Sequence, residues 1–230
     1  MTVRSAIQAL RGQCPGRFST ELGIDLSRGR SQEIFRWFLA SVLFGARISE
    51  TIVKKTFREF DSRALVSPKT ILKTGWDGLV EVLDRGGYVR YDFKTATKLL
   101  DLCRALTQDY QADLANLHAA AAGPKDLEQR IKSLAKGIGD VTVGIFLREM
   151  RGIWEKADPL PSDLVVMAAH RRGIVPTAVS DRRKVLEHLL RAWKNAGMQP
   201  KDFPDFEAAL VRAGIKLRRG LKATLPDDPA

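Results

Sequence analysis

The residues best suited to chemistry lie in the stretch Lys136-Gly137-Ile138-Gly139-Asp140-Val141-Thr142, where one helical pattern ends and another begins at once. The two glycines permit a tight turn and close backbone approach, and Ile138 can plug the two helices together. The amides of such a turn, and of the helix start that follows, suit a phosphate. A Gly-x-Gly of this kind also serves as an ordinary helix–helix turn. It is not a P-loop, because no Gly-Lys-Ser/Thr follows, and no preceding strand supports a dinucleotide fingerprint. Downstream, Pro161-Ser162-Asp163 closes a proline-stiffened linker and places Asp163 where a carboxylate caps a helix. Upstream, Arg47 sits in the loop Gly45-Ala46-Arg47-Ile48-Ser49, as a surface arginine at a helix start would.

Other chemistries find no support. The sequence has no Gly-x-Ser-x-Gly elbow and no HExxH, and Cys103 falls within an apolar helical face as inert core. Two cysteines, Cys14 and Cys103, make neither a disulfide framework nor a four-cysteine metal site, and no metal cluster is expected from three scattered histidines. His118 and His188 read as surface residues. His170, seven residues after Asp163 on the same helical face, reads as a structural histidine that could line a site. Trp37, Phe44, Tyr88 and Trp154 could supply a stacking face, although aromatics at helical spacing are more often core.

These residues belong to a chain of 230 residues and 25.6 kDa, 44% hydrophobic and 28% charged, which are globular values that exclude wholesale disorder. No apolar run reaches the roughly 20 residues a membrane span needs, and the first residues lack the apolar core of a secretory signal. The formal net charge is +11, which points to a polyanionic partner. Basic residues gather toward the ends: Arg171, Arg172, Arg182, Arg183, Lys184, Arg191, Lys194 and Lys201, then Arg212, Lys216, Arg218, Arg219 and Lys222. Together they resemble a phosphate footprint more than separate solvated faces.

The elements that must position these residues read as helices throughout. Residues 1–30 show no clear period and read as a partly ordered arm. Ser31 is expected to cap a helix carrying Ile34, Phe38, Val42 and Leu43, ending near Gly45. Ile48 to Phe60 is another one-sided helix. Ser67-Pro68 opens a short one, and Trp76 to Leu83 a further one closed by Gly86-Gly87. Asp92 is expected to cap a long helix with Ala96, Leu99, Leu100, Cys103 and Leu106 on one face. After Gly123-Pro124, Leu127, Ile131 and Leu134 mark the next. No run shows sustained period-two alternation, so the expectation is an all-α protein of ten or so helices.

Lys136-Gly137-Ile138-Gly139, then Thr142, then Pro161-Ser162-Asp163 resembles the helix-hairpin-helix and downstream aspartate of the endonuclease III superfamily of DNA glycosylases. Ala40 to Lys55 is similar to the helix, loop and helix that open the family's helical barrel. Gly86-Gly87-Tyr88 followed by Lys94-Thr95-Ala96 resembles its glycine turn and next helix. The resemblance covers roughly residues 30–195 and implies two helical lobes meeting at a cleft. One lobe would be residues 28–152 with the hairpin, and the other 1–27 plus 153–230 with the basic ends.

The resemblance makes Asp163 the catalytic carboxylate, stabilising positive charge on the deoxyribose or activating water. It makes Lys136, Gly137, Ile138, Gly139 and Thr142 a clamp on a DNA phosphate, with a monovalent cation held at the Gly137 and Gly139 carbonyls as in relatives. Arg47 takes the place of the residue inserted into the stack when a base is flipped out, and Arg171 and Arg172 meet the backbone. The departures carry equal information. Where strand-cutting relatives have a Schiff-base lysine, this chain has Val141, which cannot be a nucleophile. No cysteine follows Cys103, so no iron–sulfur cluster is expected. Val143 replaces the usual alanine, Lys136 replaces the usual proline, and the linker from Val141 to Asp163 is longer.

The implied function is therefore a monofunctional DNA glycosylase of base-excision repair, a monomer without cofactor. It would act on lesion-bearing double-stranded DNA, with no membrane partner, and be cytoplasmic and nucleoid-associated if bacterial. Two alternatives are a catalytically inactive DNA-binding protein that keeps the fold, and an RNA-binding helical protein.

Overall fold

A computed structural model describes residues 2–220. Lys222, one of the basic tail residues, lies outside them. The described residues form an all-α protein: twelve α-helices and one 3-10 turn, with no β-strand among them. None of these helices is long and apolar enough to cross a membrane. The chain divides into two compact units, Ser19–Pro159 and Met1–Phe18 with Leu160–Ala230.

The N-terminal residues depart from expectation. Val3–Gln13 is a helix (α1), its first turn capped by Thr2 and its stripe of Ala6, Ile7 and Leu10 buried. Val3, Ala6, Ile7 and Leu10 follow helical spacing over only two turns, a short signal beside the Gly, Pro and Arg that dominate residues 11–30. A four-residue helix follows at Phe18–Glu21 (α2).

In the unit Ser19–Pro159, the next helix, Ser31–Phe44 (α3), buries every residue from Glu33 to Leu43 except Arg36. Ser31 does not cap it. The N-cap is Arg30, without a side-chain bond, while the Ser31 hydroxyl donates to Asp113. Ser49 caps Glu50–Ser62 (α4). Pro68–Gly86 (α5) opens with a reciprocal Ser67–Thr70 capping box and breaks at Gly75, whose φ of 71° ends one helical run before Trp76 begins the next. Asp92 is the first residue of Asp92–Tyr110 (α6) rather than its cap, which is Tyr91. Asp113 caps Leu114–Ala120 (α7), Pro124–Ser133 (α8) starts on its proline, and Asp140–Met150 (α9) completes the unit's helices.

Packing centres on α3. Its Trp37 indole donates to the Phe146 carbonyl of α9 at 3.1 Å, and Phe38 meets Phe146 edge-on. The Tyr88 hydroxyl, fully buried, donates to the Leu43 carbonyl at 2.6 Å, and burial raises its pKa. Arg36 binds both Glu33 oxygens, Asp61 and the Gly23 carbonyl while lying over the Phe57 ring. Gly86 is pressed against α4: an added Cβ would lie 2.5 Å from the Thr56 Cα.

The second unit joins both chain ends. Asp163–Arg171 (α10) packs on Phe203–Arg218 (α12), as do α1 and the 3-10 turn Pro200–Asp202, and Arg182–Asn195 (α11) packs on α1 and α10. Gly214 lets α12 touch α10, since a Cβ there would fall 2.3 Å from the Leu164 carbonyl oxygen. Trp193 stacks on Phe206, receives the Arg11 guanidinium and donates to the Gln199 carbonyl. Arg17 pairs with Asp205, and Arg212 donates to the Gly16 carbonyl.

The two glycine approaches yield an ordering of stabilities. Gly86→Ala and Gly214→Ala are expected to cost about 1–3 kcal/mol each by overpacking. Gly144→Ala on α9, where an added methyl meets nothing within 4 Å, is expected to be neutral or to stabilise by up to about 1 kcal/mol. Denaturant unfolding of the three variants measures the ranking.

Candidate functional site

The helix α8, the turn 134–139 and the helix α9 form a helix–turn–helix within the unit Ser19–Pro159. Leu134, Ala135 and Ile138 are buried and pin the turn from beneath, while Lys136, Gly137 and Gly139 are exposed above. The Ile138 amide donates to the Ala135 carbonyl at 3.2 Å, closing a four-residue turn with Gly137 at its third position. There φ is +90°, a conformation that glycine adopts without cost. Gly139 caps α9 with extended backbone and no side-chain bond, so the first-turn amides lack a capping side chain. The Asp140 carboxylate in that first turn is paired with Lys132. Gly139's carbonyl accepts the Val143 amide, whereas Gly137's carbonyl carries no hydrogen bond among the described residues, so a monovalent cation would find its freer oxygen at Gly137.

Thr142 is 4% exposed, and its hydroxyl faces Gly45, where an added Cβ would lie 2.1 Å away. Thr142 therefore serves α3–α9 packing through its own side chain, with its backbone in the first turn of α9. The contact has a further result. It fixes the start of the loop that carries Arg47 beside the start of α9. Arg47 is exposed and has no hydrogen bond or ion pair among the described residues. Val141, at the position of the absent lysine, is 65% exposed.

Asp163, Arg171 and Arg172 belong to the other unit. Ser162 is the N-cap of α10, its hydroxyl facing the Val165 amide, and Asp163 is the first helical residue. The Asp163 carboxylate is 84% exposed and takes the Arg182 guanidinium on Oδ1, and Arg182 also reaches the Pro161 carbonyl. Nothing in the sequence pairs these two residues, which lie nineteen apart. Oδ2 has no partner among the described residues. Arg171 is exposed, but Arg172 is half-buried, donates to Gln13 and has its Nη1 buried without a partner. Of the two, Arg171 is the one whose charge faces solvent freely.

The aromatic candidates divide. Trp37, Tyr88 and Trp154 are buried, and the polar ends of the first two are satisfied by carbonyls; Phe44 is half-buried. The exposed aromatics are Trp76, at 39%, and Phe93, at 58%, in ring contact across α5 and α6. Their exposure could not be read from spacing, because each sits in an amphipathic run beside core positions. Cys103 is buried and its thiol pKa is pushed up by desolvation. No three His, Cys, Asp or Glu side chains among the described residues come together as a metal site.

His170 is tied by its Nε2 to the Val179 carbonyl at 3.1 Å. His188 is half-buried on α11. His118 is not a free surface residue. It stacks on Trp154 at 4.7 Å, and its Nε2 faces the Lys156 amide, whose side chain donates to the His118 and Ala119 carbonyls. Burial, then the Lys156 ammonium, hold its pKa below the ordinary 6.5.

Neither a protein-family model nor a curated protein matches the sequence.

The His118 environment sets a pH dependence. A histidine whose folded pKa is depressed binds its proton more readily in the unfolded chain, so its contribution is present above pH 6.5 and lost as pH falls below it. Stability followed by denaturant unfolding between pH 8 and 5 is expected to decline below about 6.5. The decline should be shallower in His118→Gln.

Proposed function

We propose that the protein is a monofunctional DNA glycosylase that hydrolyses the N-glycosidic bond of a damaged or mismatched base flipped out of duplex DNA. The observation that carries this reading is the turn at Gly137, where the exposed Gly137 and Gly139, whose amides have no hydrogen bond among the described residues, flank a buried Ile138 plug and the α9 terminus has no side-chain cap. Those amides, with Lys136, suit one backbone phosphate, as a positioning contact without sequence information. Arg47, unpaired and fixed beside the hairpin exit by Gly45, fills the space a flipped nucleotide leaves.

Asp163 supplies the chemistry. As the C1′–N bond breaks, positive charge grows on the deoxyribose, and the unpartnered Oδ2 stabilises it or takes a proton from the attacking water. Arg182 on Oδ1 restricts the carboxylate's rotation, so Oδ2 is presented in one direction. Water adds to C1′, the base leaves with the electron pair of the broken bond, and an abasic site remains. Val141 offers no amine there, so a lyase step through that position does not follow. The exposed Arg171 adds to the phosphate attraction.

One observation favours a second reading, a DNA-binding protein that keeps the fold without the reaction. An exposed carboxylate held by an arginine is a common surface ion pair.

Duplexes carrying alkylated purines, uracil, hypoxanthine or oxidised bases, incubated with the protein and then treated with hot alkali, test the two readings. Strand breaks at one lesion class, falling about 10²-fold or more in Asp163→Asn with binding retained, are the expected result. Duplex binding with no base release from any lesion establishes the second reading instead. Preference for single-stranded RNA in direct competition removes both. Arg171→Glu is expected to weaken binding to all duplexes alike and to lower the salt slope by roughly one to two.

A further inference from the structure

Lys98 lies on α6, away from the hairpin in sequence and close to it in space. A Cβ built on Gly137 would stand 3.1 Å from Lys98 Cε and 3.5 Å from Nζ, so the end of this side chain rests against the turn. The stem is half-buried, flanked on α6 by the core residues Ala96, Leu99 and Leu102. The ammonium has no hydrogen bond or ion pair among the described residues. The acids in reach of neighbouring cations are taken: Asp140 by Lys132, and Asp101 by Arg104. Burial lowers the Lys98 pKa, and no carboxylate offsets that effect. A lysine placed only to cover apolar surface would extend its ammonium into water. This one is laid across the face of an exposed, positive-φ glycine.

We infer that Lys98 is a phosphate ligand, which completes with the Gly137 and Gly139 amides a site for one backbone phosphodiester. The inference rests on reading the hairpin as a nucleic-acid clamp and adds to it a side chain from a third helix. A phosphodiester seated on the turn would give the ammonium the anion it lacks, and the charge-assisted bond would gain from partial desolvation. It also assigns a second constraint to Gly137. A Cβ there would press on the Lys98 Cε and shift it by a few tenths of an ångström, in addition to the conformational cost of φ +90°.

Lys98→Met keeps the apolar stem and removes the charge, and Lys98→Arg restores it. Two measurements are made on the whole protein, after unfolding curves confirm that the variants fold. The first is duplex affinity from 50 to 300 mM salt. Lys98→Met is expected to bind roughly tenfold more weakly at the low-salt end, with the log–log slope reduced by about one, and Lys98→Arg to recover both. The second is titration with inorganic phosphate, followed by the amide NMR shifts of Gly137 and Gly139. Shifts present in the wild type and lost in Lys98→Met support the inference. If the wild type shows the phosphate shifts without binding duplex, the anion site stands and the nucleic-acid reading falls. Unchanged affinity, slope and phosphate shifts in Lys98→Met overturn the assignment. Borohydride trapping of wild-type protein on abasic DNA, abolished by Lys98→Met, also overturns it, because it would make Lys98 a nucleophile.

Discussion

The hydrogen bond from the Trp37 indole to the Phe146 carbonyl, inside the α3–α9 contact, is the constraint on which the candidate clamp depends. A buried indole N–H needs an acceptor, and a helix interior offers carbonyls already engaged along the axis. Sharing the Phe146 carbonyl fixes both the depth and the rotation of α9 against α3. Phe38 against Phe146 and Gly45 against Thr142 extend the same contact toward the start of α9. The Tyr88 hydroxyl on the Leu43 carbonyl brings the Gly86-Gly87-Tyr88 turn to the same end of α3. The hairpin exit, the Arg47 loop and the glycine turn after α5 are thereby set by one helix terminus. Loops held in this way lose little further freedom when they bind, which favours affinity.

The +11 charge acquires meaning once the paired cations are set aside. Arg36, Lys54, Arg63, Arg130 and Arg151 are engaged by carboxylates within the unit Ser19–Pro159. In that unit Arg47, Lys98 and Lys136 face the hairpin region or its flanking loop without such partners. In the other unit Arg17, Arg172 and Arg212 hold backbone or side-chain groups in place, whereas Arg171 stands clear. The net charge of +11 already subtracts every carboxylate, so pairing and burial decide not its size but which cations stand free to meet a polyanion.

Local signals were legible wherever a residue's effect is confined to its own turn. Ser67 and Pro124 begin helices by satisfying or omitting first-turn amides. The failures follow the same logic. Ser31 has a cap's chemistry but spends its hydroxyl on Asp113, a residue eighty-two positions away. Residues 3–13 carry too short an apolar stripe to announce α1, which is stabilised by burial of Ile7 and Leu10 and by packing on α11 and α12. His118 has the composition of a surface site, and only the Trp154 stack and the Lys156 contacts remove it from solvent.

By itself, the sequence determined the helical class, the turn at Gly137 and the absence of a lysine at position 141, because periodicity, positive-φ glycine and side-chain identity are properties of short segments. The tertiary structure alone decided that Thr142 packs on Gly45, that Asp163 is held by Arg182, and that Lys98 lies across the hairpin turn. Each of these joins residues from different helices. Such contacts are set by the rotation and depth at which helices pack, and spacing along the chain carries no information about either.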